Sequence, residues 1–184
     1  MAVGSNVHTL RESVGIVPQP PERAGAFRQA FRHLSSGVSI ITVGRRPFRT
    51  GFTATSVSSL SAEPARLIVS VNRNSSSYQG IRQAGAFGVN FLAAGQEAIA
   101  DRFAGRGGIA GEARYDGAQW ESLETGTSLL TDALAAIDLE VEEFIERHSH
   151  AIVIGAFVAT RIGPPRDALL YWHGHYQPGL LPQN

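Results

Sequence analysis

From Ile137 to Glu142 the side chains alternate without a break. Ile137, Leu139 and Val141 are apolar, and Asp138, Glu140 and Glu142 between them are acidic. A period of two sends successive side chains to opposite faces of an extended chain, so a half-buried strand over Ala136–Val141 is the structure that fits. The strict alternation makes the three acids the wet face of that strand rather than catalytic carboxylates.

Other stretches join it. Val38–Val43 is a β-branched run that reads as a buried strand. Thr53 to Ser61 (TATSVSSLS) reads as one strand carrying small hydroxyl residues, and a Pro-bearing turn at Ala62–Ala65 follows. Arg66–Val71, Phe87–Leu92, His150–Thr160 and Ala168–Trp172 complete the set. Phe27, Ala30, Phe31 and Leu34 fall at helical spacing, predicting a helix stopped by Ser35-Ser36-Gly37. Two more short helices are expected at Ser77–Gln83, ended by Gly85, and at Gln96–Phe103, with Ala98, Ile99 and Phe103 inward. Strands and helices do not alternate as a parallel sheet requires, and no Gly-x-Gly-x-x-Gly fingerprint is present. The expectation is a mainly β chain, a closed or partly open antiparallel barrel with a few peripheral short helices.

The 184 residues suit one domain. Residues 1–25 read as an extended arm, 26–178 as the domain and 179–184 as a tail, with the chain already loose from residue 177. Gly44–Arg49 is a turn carrying three arginines, read as solvated, with a ligand phosphate as the alternative. Gly105–Thr131 is Gly-rich and irregular, anchored by Tyr115, Trp120 and Leu123; a loop this long is expected to be functional or to pack over another subunit. Formal net charge is zero, which gives no reason to expect nucleic acid or an anionic membrane as partner. With no cysteine, disulfides, thiolate catalysis and cysteine-ligated zinc are excluded. No apolar run is long enough for a membrane helix and no signal-peptide plan is present, so a cytoplasmic protein is expected.

Chemistry concentrates in a few places. Thr53, Thr55, Ser56 and Ser58 could line one wall of a pocket. Ser75, Ser76 and Ser77 sit where a helix start presents free N–H groups and the positive end of its dipole, which suits a phosphate. Capping alone would account for one of the three. Two His-x-His pairs, His148-Ser149-His150 and His173-Gly174-His175, could in principle ligate a metal, but no carboxylate stands at a matching position. Histidines at loop ends beside a cleft are the simpler reading, with His150 the best placed to donate a hydrogen bond or carry a proton. Trp172 and Tyr176 could stack on a flat ring or plug the barrel end.

Taken in order, FRQAFRHLSSGVSIIT, GFTATSVSSLSAEPARLIVSV with NRNSSSYQGI, GAFGVNFL with QEAIADRF, RHSHAIVIGAF and LLYWHGHY resemble the short-chain flavin reductase family, from Phe27 to Tyr176. That family reduces FMN or FAD with NADH or NADPH and supplies the reduced flavin to two-component monooxygenases. The resemblance implies a Greek-key split β-barrel, a homodimer and a separate oxygenase partner. It implies that Thr53, Ala54, Thr55 and Ser56 meet the isoalloxazine ring. Ser70, Val71, Asn72, Ser75, Ser76 and Ser77 would receive the phosphate end, with Phe87 and Asn90 also in the cofactor-binding set. His150 would lie by flavin and nicotinamide, and Trp172, His173, Gly174 and His175 would place the nicotinamide. Two positions depart from the pattern. The family often has Gly-Asp-His where this chain has His148-Ser149-His150, and an arginine where it has His173. Both lie on the presumed nicotinamide side. The alternatives are a flavin-binding barrel without reductase activity and a His-ligated metal barrel.

Overall fold

The computed structural model describes residues 20–181. Within them the chain divides after Phe31 into a short first unit and a second unit starting at Arg32. The first unit is helix α1 (Pro21–Phe31), opened by a proline whose fixed φ suits a first helical position. The Phe27 and Phe31 rings, one turn apart, lie 4.4 Å between centroids. The helix starts earlier than its apolar spacing predicts and stops short of Leu34. Arg32 and His33 are engaged elsewhere: their carbonyls accept from the backbone N–H of His173 and from the Trp172 indole. Residues 21–25 are therefore helical and not an arm, and residues 1–19 of the expected arm lie outside the described residues.

The second unit holds twelve strands and two further helices. In chain order they are β1 (Ser36–Gly37), β2 (Ser39–Val43), β3 (Thr50–Ala54), β4 (Ser58–Ala62), β5 (Ala65–Asn72), α2 (Ser76–Ala84), β6 (Ala86–Phe91) and α3 (Glu97–Phe103). There follow β7 (Trp120–Ser122), β8 (Ser128–Leu130), β9 (Ala135–Arg147), β10 (His150–Ile162), β11 (Ala168–Trp172) and β12 (His175–Gly179). The main sheet has seven strands in the order β3-β2-β6-β9-β10-β5-β4. Every ladder is antiparallel.

Its two edges, β3 and β4, are consecutive in the chain, joined by Thr55–Val57 alone. Such a link spans at most about 14 Å, whereas the edges of a flat seven-stranded sheet would stand about 29 Å apart. The sheet must curl until its edges meet. The result is a split barrel, open along one seam, and the hydroxyl-rich link bridges that seam.

Two apolar clusters fill the unit, one on each side of β2. Ile41 and Val43 join Val69, Ile81, Phe87, Leu139 and Val153 in the first. Ile40 joins Leu92, Phe103, Tyr115, Leu129 and Leu169 in the second. All five residues of β2 are buried, Ser39 and Thr42 included, which accounts for the lack of an apolar–polar alternation along it. Helix α3 closes tightly on β3, because a Cβ at Gly51 would lie 2.6 Å from the Phe103 ring and 2.4 Å from the Ile41 carbonyl oxygen. A second sheet, β1-β11-β12, joins the barrel through Leu92–Ala94, and β7-β8 forms a hairpin.

The fold corrects several expectations. The hydroxyl stretch is two strands and a link, because it must cross the seam. Asp138 is fully buried and not wet: its carboxylate accepts from the Thr125 backbone N–H (2.8 Å) and hydroxyl (2.5 Å). Arg49 is buried too, paired with Glu112, donating to Ser128 Oγ (3.1 Å) and lying 4.0 Å over the Tyr115 ring; only Arg45 and Arg46 are solvated. Residues 105–131 are not a loose loop. They carry short 3-10 turns and the β7-β8 hairpin, with Tyr115, Trp120 and Leu123 packed into the second cluster as expected. In α3, Ala100 faces inward and Ala98 is exposed. Gln177–Gly179 belong to β12, so the chain is ordered past the expected tail boundary. Among the described residues, no helix is long and apolar enough to cross a membrane.

Candidate active site

Strand β5 ends at Asn72, and the chain bends directly into α2. Asn72 makes the bend: its Oδ1 accepts from Asn74 N–H (2.9 Å), and its carbonyl accepts from the Ser75 hydroxyl (2.7 Å) and N–H (3.1 Å). Ser75 is the N-cap, its Oγ accepting from Tyr78 N–H at 3.2 Å, and Gly85 closes the helix at φ 64°. Capping therefore accounts for Ser75. Ser76 and Ser77 remain, with their hydroxyls 3.2 and 3.4 Å from Thr50 Oγ1. No acidic residue stands in the first turn of α2. A hydroxyl cluster on the positive end of a nine-residue helix, with no acid among its first residues, fits a phosphate.

The seam lies beside it. Ser56 Oγ accepts from Ser70 N–H and lies within hydrogen-bond reach of Ser70 O, both at 3.3 Å, which ties the link to β5. Thr55 and Ser56 are exposed and sit outside both neighbouring ladders, so their peptide groups are open to a ligand. Thr53 is spent internally, its hydroxyl donating to Ala100 O at 2.5 Å.

His150 opens β10 opposite Asn72. Its Nδ1 is 2.9 Å from Ser149 Oγ, and the imidazole is exposed. Arg73 fastens the two turns together: its N–H donates to Ser149 O (2.9 Å) and its Nη1 to His148 O (3.0 Å). The same guanidinium pairs with Glu146 at 2.7 Å, and Glu146 also accepts from Tyr78 OH and pairs with Arg82 (3.2 Å). The Tyr78 hydrogen bond, backed by Arg73 and Arg82, holds the Glu146 carboxyl below its ordinary range. Glu146 stays ionised and keeps Arg73 beside the entry to α2.

Trp172, His173, Gly174 and His175 lie in the other sheet, at the β11–β12 turn, where Trp172 pairs with His175. His173 (φ 51°) and Gly174 (φ 89°) both have left-handed backbone, which a two-residue hairpin turn of this hand demands. Arg32 and His33 pack on the turn, the two imidazoles meeting edge to face at 4.5 Å.

Thus Thr55, Ser56, Ser70, Asn72, Ser75, Ser76, Ser77 and His150 converge on one corner of the barrel. Several expected cofactor residues do not reach a surface, Ser77 (1% exposed) among them. Phe87 is fully buried in the first cluster. Asn90 is fully buried as well, its amide donating to Ile40 O (3.0 Å) and its Oδ1 accepting from Leu130 N–H (2.7 Å). Both serve packing. Ala54 and Val71 are buried and can offer only backbone. Thr50 and Arg73 were missed by sequence reasoning, although each adjoins a flagged stretch. Two cavities, of ≈ 220 and ≈ 410 Å³, lie elsewhere and include none of these residues. Among the described residues, no three potential metal-ligating side chains cluster.

Residues 31–180 match the family model described as a flavin reductase like domain. FMN reductase (NADH) RutF 2 of Rhizobium rhizogenes is 35% identical over 159 residues, covering 86% of this chain and 91% of that protein. The solved NADH:FAD oxidoreductase SgcE6 of Streptomyces globisporus is 26% identical with a TM-score of 0.78, covering 91% of this chain and 99% of the other. A homolog of nitrilotriacetate monooxygenase component B from Mycobacterium thermoresistibile is 25% identical with a TM-score of 0.78, covering 89% and 92%.

Proposed function

The chain belongs to the flavin reductase-like domain family, and from that premise we propose that it is an NADH-dependent FMN reductase whose reduced flavin serves a separate monooxygenase. The observation that carries this reading is the corner where the seam, the α2 entry and His150 converge. A bound flavin would supply the hydride acceptor and a bound reduced nicotinamide the hydride. The chain's own part is positioning. Ser76, backed by Thr50, and the backbone N–H groups that open α2 would hold the phosphate end, with the buried Ser77 supporting Thr50 from behind. The open peptide groups of Thr55 and Ser56 meet the polar edge of the ring. His150 borders the ring face, and the Trp172–His175 turn seats the donor.

The working form is a homodimer. Phe157 is 45% exposed beside the smaller cavity, which Val57, Phe91 and Ile137 also line, and such an apolar mouth suits a partner's surface. The cytoplasm, where reduced nicotinamides are made, suits the chemistry.

The test is spectrophotometric. Purified protein is mixed with FMN or FAD, and loss of the nicotinamide absorbance band is followed with NADH and with NADPH. Protein-dependent oxidation, fastest with NADH and FMN, is expected. A protein that binds flavin tightly yet oxidises neither donor would overturn the enzymatic reading.

A further inference from the structure

We infer that Arg32 holds a phosphate oxygen of the reduced nicotinamide donor, beside the exposed face of Trp172. This rests on the reading of the β11–β12 turn as the donor seat and adds to it a residue from the far end of the sequence.

Arg32 and His173 are joined twice. His173 N–H donates to Arg32 O at 3.1 Å, and Arg32 Nη2 donates to His173 O at 2.7 Å. The guanidinium lies so close on the turn that a Cβ at Gly174 would stand 3.2 Å from Nη2. Glycine suits the position by its φ of 89°, and the bare Cα also lets the guanidinium lie close. A guanidinium carries five N–H donors, and the carbonyl takes one. Arg32 has no carboxylate partner among the described residues, a condition it shares with Arg23, Arg28, Arg45, Arg102, Arg114 and Arg147. Its charge is fixed in place, exposed and uncompensated.

The neighbouring aromatic is fixed as well. Trp172 Nε1 donates to His33 O at 3.3 Å and the indole meets the His173 ring at 4.7 Å, yet 46% of Trp172 is exposed. A held, open indole beside an unpaired guanidinium offers a flat apolar surface and an anion donor together, the two features a dinucleotide presents to a protein.

The test is Arg32→Gln, which can keep the bond to His173 O while removing the charge. For the full-length protein with FMN, the KM for NADH and the dissociation constant of NAD+, measured calorimetrically, should rise about five- to thirtyfold. The kcat and the FMN dissociation constant should stay unchanged, and Arg32→Lys should recover part of the loss. Reduced nicotinamide riboside, which has no phosphate, should react equally well with both proteins. Equal losses with NADH and NADPH assign Arg32 to the pyrophosphate; a loss confined to NADPH and NADP+ assigns it to the 2′-phosphate. Unchanged donor constants in Arg32→Gln, with raised ones in Trp172→Ala, would overturn the inference and leave the donor seat standing. An equal loss with the riboside would reduce Arg32 to a support for the turn. If Trp172→Ala also left the donor constants unchanged, the donor-seat reading would fall, and the inference with it.

Discussion

His150 faces Asn72 across the β5–β10 ladder, so the imidazole and the residue that bends the chain into α2 are cross-strand partners. Directly opposed residues in an antiparallel pair lie about 5 Å apart. That register fixes His150 beside the turn into α2 without any bond from the ring to it. Replacing His150 by Ala should therefore slow anaerobic reduction of FMN by about one to two orders of magnitude, while flavin affinity stays within about twofold of its original value. Stopped-flow reduction and a flavin fluorescence titration measure the two. Unchanged reduction would remove His150 from the reaction.

Ser75 has a different task from its neighbours. Its hydroxyl caps α2 and is turned toward Tyr78 N–H and Asn72 O. Ser75→Ala should cost about 1 kcal/mol and lower the midpoint of thermal unfolding by about 2–4 °C. If stability were unchanged and only flavin affinity fell, the cap assignment would be wrong.

How much of this was legible in the sequence depended on the reach of each contact. The period-two pattern of β9 and the β-branched run of β2 report burial directly, and both strands formed there, although β9 runs on to Arg147, six residues past the Val141 end that its pattern marks. Pattern could not reveal that Asp138, on the wet phase of β9, is covered by Thr125 from the β7-β8 hairpin. The partner comes from an irregular segment with no period of its own. The same blindness hid Arg49, because its burial depends on Glu112, Tyr115 and Ser128, all of them distant in the chain. The seam is a further case. Nine hydroxyl-rich residues look like one strand until the sheet's two edges have to be joined. For the candidate site, the serine cluster was visible as composition, but Arg32 was not, since folding alone brings it to residues 173–174.

Asp138 carries a stability prediction of its own. Asp138→Ala would leave the Thr125 N–H and hydroxyl without their acceptor in a covered site. The expected loss is about 1–3 kcal/mol, read by urea unfolding as a lower midpoint with an unchanged slope. A loss no larger than that of an exposed acid, such as Glu140→Ala, would show that water replaces the carboxylate there.

Glu112 sets a pH dependence. The hydrogen bond from Arg49, helped by the charges of Arg49 and Arg46, holds its carboxyl below the ordinary value of 4.5, against the opposing effect of burial. A carboxyl depressed in the folded state binds fewer protons there than in the unfolded chain, so its contribution is complete above pH 4.5 and fades as pH falls through the lowered value. Stability of the native protein should decline through that acid window, and Glu112→Gln should flatten the decline while lowering stability at neutral pH. Parallel curves for the two proteins would remove the Arg49 pair as the source.

The serines of α2 are backed by a chain of contacts that starts in the interior, and this gives the most direct test of the phosphate site. Tyr115 OH donates to Thr50 O at 2.5 Å and accepts from Val43 N–H at 3.3 Å, which fixes the start of β3. From there Thr50 Oγ1 reaches Ser76 and Ser77. If these hydroxyls receive a phosphate, their loss should be felt by FMN and not by riboflavin, which is the same ring system without the phosphate. Thr50→Val keeps the β-branched shape that suits a strand and removes the hydroxyl alone. The KM for FMN should rise about five- to tenfold in Thr50→Val and in Ser76→Ala, that for riboflavin should stay within about twofold, and Thr50→Ser should retain most of the FMN preference. A mutant equally impaired with both flavins would place the defect in the ring site or the strand. A mutant unimpaired with either would mean that the phosphate is held by other groups at the helix start.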